Sequence, residues 1–97
     1  MKLSGNNIIM AKRIVTKIGD VFCSEIDGQC KRFFQYFAID STMLNSSVIR
    51  VFKQHYPMDY IPDISEIIAG EVEFYAHTVL RMGIADGIWY KVGKSLE

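Results

Sequence analysis

Val21-Phe22-Cys23-Ser24-Glu25-Ile26-Asp27-Gly28-Gln29-Cys30-Lys31-Arg32-Phe33-Phe34-Gln35-Tyr36-Phe37-Ala38-Ile39 decides the fold class. Its first six residues have strand composition. Asp27-Gly28 is a strong hairpin signal, because glycine supplies the positive φ that a tight turn between twisted strands requires. Residues 31–39 are dense in aromatics and read as a second strand with both faces partly buried. With Asp27-Gly28 as a two-residue loop, Cys23 faces Arg32 and Cys30 faces Glu25. The two sulfurs then share a face but stand diagonally, an awkward separation for a bridge. Two cysteines are also too few for a disulfide framework, so two reduced thiols are expected.

Outward from the hairpin, Lys17-Ile18-Gly19-Asp20 leads into the first strand, and residues 40–45 read as a loop. Residues 47–53 (Ser47 to Lys53) are β-branched and mostly alternate; they read as a third strand, with helix as the rival. Pro57 and Pro62 bracket an irregular connection. A short helix is expected near residues 63–69. Asp63 is its N-cap, Glu66 completes a capping-box spacing, and Ile64, Ile67 and Ile68 recur at helical spacing toward the core. Gly70 is expected to end it in the left-handed conformation. Residues 71–80 read as a strand, with Val72, Phe74, Ala76 and Thr78 on one side and Glu71, Glu73, Tyr75 and His77 on the other. Gly83 and Asp86-Gly87 mark a turn, and residues 88–92 form a last strand. The pattern predicts a mainly β fold: a small, strongly bent antiparallel sheet, preferably an SH3-like barrel, with one short helix. An α+β sheet with the helix packed on one face is the runner-up.

Ninety-seven residues make one domain, burying roughly 65% of the unfolded surface. Apolar residues at 49% and charged residues at 23% exclude disorder and collagen-like structure. No apolar run approaches the roughly 20 residues needed to span a bilayer. The polar N-terminus lacks the apolar segment of a secretory signal, so a cytoplasmic location without membrane attachment is expected. Met10-Ala11-Lys12-Arg13 would serve well as a start of translation. Residues 1–10 therefore read as a flexible leader ahead of a single globular domain, 11–97.

Charge is unevenly distributed in a neutral chain. Residues 1–53 hold eight basic and four acidic groups, residues 54–80 hold none and five, and residues 81–97 hold three and two. The five carboxylates of the middle segment are Asp59, Asp63, Glu66, Glu71 and Glu73. Such a run attracts a basic partner, or else serves only as a solvated face.

Chemistry-bearing motifs are few. There is no Gly-rich phosphate loop, nucleophile elbow or zincin helix. His55 and His77 are the only histidines, and nothing in the spacing brings Cys23, His77 and an aspartate together. Cys23 and Cys30 match no zinc spacing. No catalytic residue, metal or cofactor is therefore expected. Lys12, Arg13, Lys17, Lys31 and Arg32 lie near Phe33, Phe34 and Tyr36, the materials of a single-strand nucleic-acid binder. The near-neutral isoelectric point and the acidic segment oppose phosphate binding. The acidic segment is more coherent: Tyr56, Tyr60 and Tyr75 accompany its carboxylates, and charge steering with aromatic anchors is how a protein interface is built.

Ile18-Gly19-Asp20-Val21-Phe22, Leu44-Asn45-Ser46-Ser47-Val48-Ile49-Arg50-Val51-Phe52 and His55-Tyr56-Pro57 follow one another in a recognisable order. Phe74-Tyr75-Ala76-His77-Thr78 and Trp89-Tyr90-Lys91-Val92-Gly93 continue it. Over 14–94 the chain resembles small bacterial immunity proteins of polymorphic toxin systems, including contact-dependent growth inhibition. The resemblance implies a cytoplasmic, non-enzymatic protein that binds one cognate toxin domain, often a nuclease, and blocks its active site or substrate path. Its members have unrelated folds and variable binding residues. The toxin-facing set is therefore argued from charge and exposure: Tyr56, Asp59, Tyr60, Asp63, Glu66, Glu71, Glu73 and Tyr75. The alternative is a small nucleic-acid-binding module using the N-terminal basic residues and the hairpin aromatics.

Overall fold

In a computed structural model, which describes residues 15–43 and 46–95, five strands form one antiparallel sheet. They are β1 (Asp20–Glu25), β2 (Cys30–Asp40), β3 (Ser46–Pro57), β4 (Val72–Thr78) and β5 (Trp89–Lys94), in the order β4-β3-β2-β1-β5. The expected leader, 1–10, and the basic residues Lys12 and Arg13 lie outside the described residues. The mainly β, antiparallel expectation holds. Closure into an SH3-like barrel does not occur: the sheet is open, with β4 and β5 as its edges. Among the described residues two short α-helices are present where one was expected, α1 (Ile64–Ile68) and α2 (Leu80–Ala85).

The sheet is buried on both faces, which is why β2 carries consecutive buried aromatics. Phe22, Phe34, Tyr36, Ile49 and Val51 form one core with Leu80 of α2, flanked by Ala76, Ile84 and Trp89. Val21, Cys23, Phe33 and Phe52 form the other with Ile67 of α1, flanked by Tyr56, Tyr60, Ile64, Ile68, Val72 and Val92. We call these the α2 face and the α1 face. Phe22 and Phe34 stack across β1 and β2, and Trp89 meets Phe34 edge-on at 5.0 Å. Each such pair adds about 0.5–1.5 kcal/mol beyond the area it buries.

Register departs from the alternating reading at several places, three of which move residues singled out in the sequence. Three residues, 27–29, lie inside the bond from Ile26 N–H to Cys30 O that closes the β1–β2 turn, and Gly28 takes φ +85°. The pairing therefore slips by one from the two-residue expectation. Cys23 stands opposite Phe33, and Glu25 opposite Lys31. The two thiols, both free, fall on opposite faces. A register shift between Tyr36 and Ala38 breaks alternation in β2, where Ala38 pairs with Val48. A third shift sits in the β3–β4 pairing, where Phe52 meets Val72 but Val51 meets Phe74. Val72 and Phe74 therefore lie on opposite faces, and the single polar side expected for Glu71, Glu73, Tyr75 and His77 is divided. An extra residue in one strand does this whatever the sequence alternation says.

Gly70 is not left-handed as expected; its N–H instead closes on Ile67 O at 3.1 Å, behind the Ala69 C-cap. Two other glycines serve close approach. A Cβ at Gly83 would overlap the Trp89 ring, and one at Gly93 would lie 2.7 Å from Ile64 Cδ1. They let α2 and α1, respectively, come down onto β5.

Candidate functional site

Asp63 fixes the start of α1. Its backbone is extended, its carboxylate accepts the Glu66 N–H at 3.3 Å, and its carbonyl accepts the Ile67 N–H at 2.9 Å. The expected capping box is half made. Glu66 does not return to the Asp63 N–H; it accepts a 2.6 Å hydrogen bond from the Tyr60 hydroxyl. The Asp63 N–H donates to that same phenol oxygen at 3.4 Å. Tyr60 thus takes the role that the glutamate usually plays.

The phenol is placed by its ring. Tyr60 stacks on Tyr56 with centroids 4.1 Å apart and 26° between planes, and both rings meet Phe33 edge-on, at 6.0 and 5.3 Å. Lys31, buried beneath, donates from Nζ to Tyr60 O at 2.8 Å and lies 6.0 Å from the Phe33 centroid. Burial, and then the bond to Glu66, push the Tyr60 phenol up to about 12. Burial, followed by the Glu66 charge, raises Tyr56. Both phenols therefore stay neutral donors through the physiological range.

Beside this stack lies an open cleft of about 690 Å³, lined by Lys53, Gln54, His55, Tyr56, Glu66, Gly70 and Glu71. Its walls are the end of β3 and the α1 segment, joined where Lys53 N–H donates to Glu71 O at 2.8 Å. The predicted site residues divide here. Tyr56, Tyr60, Asp63, Glu66 and Glu71 come together around the cleft and its stack. Asp59 is exposed on the turn that carries the chain from β3 to Tyr60. Glu73 is instead paired with Arg32, whose guanidinium also donates to Phe52 O at 3.2 Å. Tyr75 belongs to another neighbourhood: 55% exposed, it packs edge-on against Phe37, 5.4 Å away. Four of the five carboxylates (Asp59, Asp63, Glu66 and Glu71) have no ion pair among the described residues; the two lysines in this region are Lys31 and Lys53.

Lys53, Gln54 and His55 are cleft residues that the sequence reading missed. It ended the third strand at Lys53, because a polar triplet hides strand continuation, whereas β3 runs on to Pro57. The nucleic-acid reading fares differently in placement: Phe33, Phe34 and Tyr36 are buried, and Lys31 and Arg32 are engaged inside the fold. Cys23 is buried on β1, and His77 on β4 bonds to Asp40 at 2.9 Å, with two strands between them. Among the described residues no three His, Cys, Asp or Glu side chains group as metal ligands, and no helix is long and apolar enough to cross a membrane. No family model, curated protein or solved structure matches the chain.

Proposed function

We propose that this chain is an immunity-type binding protein that neutralises a cognate toxin domain, a nuclease in view of its acidic surface, by docking the Tyr56–Tyr60 stack and its surrounding carboxylates onto a basic groove. The observation that carries the reading is the stack itself. Two parallel tyrosines, fixed from below by Phe33 and Lys31, stand beside an open cleft whose rim holds Glu66 and Glu71. Rigid aromatic anchors surrounded by unpaired charge suit fast, steered association followed by slow release. A phosphate-cleaving toxin needs a cationic substrate path, and that path is complementary to this surface. The resemblance drawn from the sequence supplies the class of partner; the grouping around the cleft supports a surface of Tyr56, Asp59, Tyr60, Asp63, Glu66 and Glu71. Glu73, neutralised by Arg32, and Tyr75, packed on Phe37 away from the cleft, contribute less.

The test is co-expression with a toxin domain encoded beside this chain, followed by association kinetics across salt. Glu66→Lys combined with Glu71→Lys should slow association at low salt by about tenfold or more and flatten its salt dependence. Glu73→Lys should change the rate far less. No co-purification, or a salt dependence untouched by the double reversal, defeats the reading.

A further inference from the structure

Above α1, the same face of the sheet carries a second polar construction with a different chemistry. Arg50 on β3 directs Nε and Nη2 to Gln35 Oε1, at 2.9 and 2.6 Å. Gln35 is 2% exposed, and its amide nitrogen donates to Gly19 O at 3.0 Å and Ser95 O at 2.9 Å. The guanidinium lies between two rings, 5.2 Å from the Phe37 centroid and 5.5 Å from that of Phe52. It is therefore fixed on three sides. Among the described residues no carboxylate pairs with it: Asp40, the nearest acid along β2 on this face, is bonded to His77 and Thr42. A half-buried cation without a counter-charge is unfavourable, and its remaining N–H groups call for an acceptor.

That acceptor has a place to sit. A cavity of about 190 Å³ opens beside Arg50, lined by Ile18, Gly19, Gln35, Tyr36, Phe37 and Ser95. It falls below the roughly 300–1,000 Å³ of drug-sized sites, so its occupant is small. Arg50 is the one charged side chain in the lining, which matches a single negative charge better than a phosphate dianion. Ile18 and Phe37, 45% exposed each, offer apolar walls. We propose that this cavity binds a carboxylate carried on a compact apolar body, the carboxylate on the Arg50 fork and the body against Ile18 and Phe37. A planar guanidinium already held by Gln35 loses little freedom when it binds, the condition under which charge-assisted bonds contribute most. The carboxylate has two possible sources, a free organic acid or the C-terminal residue of a peptide.

The full-length chain is titrated with benzoate, with inorganic phosphate, and with a short peptide ending in phenylalanine as free acid or amide. Signals of the Gln35 side-chain amide and the Ile18 methyl groups are followed by NMR. Benzoate and the free-acid peptide should shift both saturably, with the amide and phosphate about tenfold weaker or worse. A tighter peptide assigns the source to a protein C-terminus, and a tighter benzoate to a free acid. Arg50→Lys keeps the charge but loses the fork, and should weaken benzoate about tenfold. Phe37→Ala removes an exposed ring while leaving the Arg50–Gln35 bonds in place, and should weaken benzoate several-fold even if the Arg50 variant does not fold. Absence of a saturable shift, equal binding of phosphate, or equal binding of the amidated peptide overturns the proposal.

Discussion

α1 and α2 are nearly equal in length and pack on opposite faces of one sheet, yet they are fastened by different means. Both helices bury one side chain in the core, Ile67 from α1 and Leu80 from α2, but α1 adds polar contacts: the Asp63 cap, the Tyr60–Glu66 bond and the Lys31 ammonium under the tyrosine pair. Val79, at the cap position of α2, makes no side-chain cap. α2 is held by the burial of Leu80 and by the close approach of Gly83 to Trp89. Helices this short have no stability of their own in water, so each exists only because the sheet completes it. The difference has a functional consequence. Both faces carry a core, but the added polar contacts of α1 hold carboxylates and phenols beside its cleft.

The sharpest way to break this contrast is Gly83→Ala. A single methyl would overlap the Trp89 ring, and Trp89 is in turn edge-on to Phe34 in the core. The expected loss is about 1–3 kcal/mol, the usual cost of overpacking, although alanine is the better helix former. Urea unfolding measures it. A neutral or stabilising result would show that α2 is not packed down as described.

A paired substitution tests the caps. Asp63→Ala should cost about 0.5–2 kcal/mol by leaving the Glu66 N–H without its acceptor. Val79 is exposed and has the extended backbone a cap residue needs, with φ −101° and ψ 91°. Val79→Asp should therefore stabilise the protein, by about 0.5–1 kcal/mol. Opposite signs in urea midpoints at unchanged slope are the expected outcome. The same sign for both would mean that the two helix starts do not differ as the geometry says.

The same contrast explains what could be read from the sequence. α1 was legible because Asp63, Glu66 and the isoleucines state its start and its face locally. α2 was not, because Gly83 reads as a turn and only Trp89, packed against it from β5, makes it a helix residue. The hairpin was legible in Asp27-Gly28, but its register was not, since loop length is fixed by twist and by the pairing of Ile26 with Cys30 rather than by the turn dipeptide. Charge composition located the Tyr56–Glu71 surface, because those residues are close along the chain. It could not separate Glu73 from them, as Arg32 is 41 residues distant and reaches it only across the sheet. Arg50 and Gln35 escaped for the same reason: each looks like an ordinary strand residue until β2 and β3 are paired.

The smallest effect expected, and the one that joins the α1 fastening to the proposed surface, is a titration. Tyr60 ionises near 12 in the fold, against 10 for an ordinary phenol, because burial and the bond to Glu66 both favour its neutral form. Neutral Tyr60 therefore contributes stability that is complete below pH 10 and is lost as pH rises toward 12, where the folded chain must surrender the proton that the unfolded chain has already released. Tyr56 and Tyr90 are raised too, so total stability falls in alkali for several reasons, and the informative quantity is a difference. Tyr60→Phe retains the ring but removes the ionisation and the bond to Glu66. The variant should be less stable than the parent below pH 10, and the gap should close across the 10-to-12 window, as read by urea unfolding at each pH. A gap that stays constant would mean that neither burial nor Glu66 holds the Tyr60 hydroxyl in its neutral form. The stack would then be fixed by Phe33 and Lys31 alone, and the carboxylates would be free of the anchors they are proposed to serve.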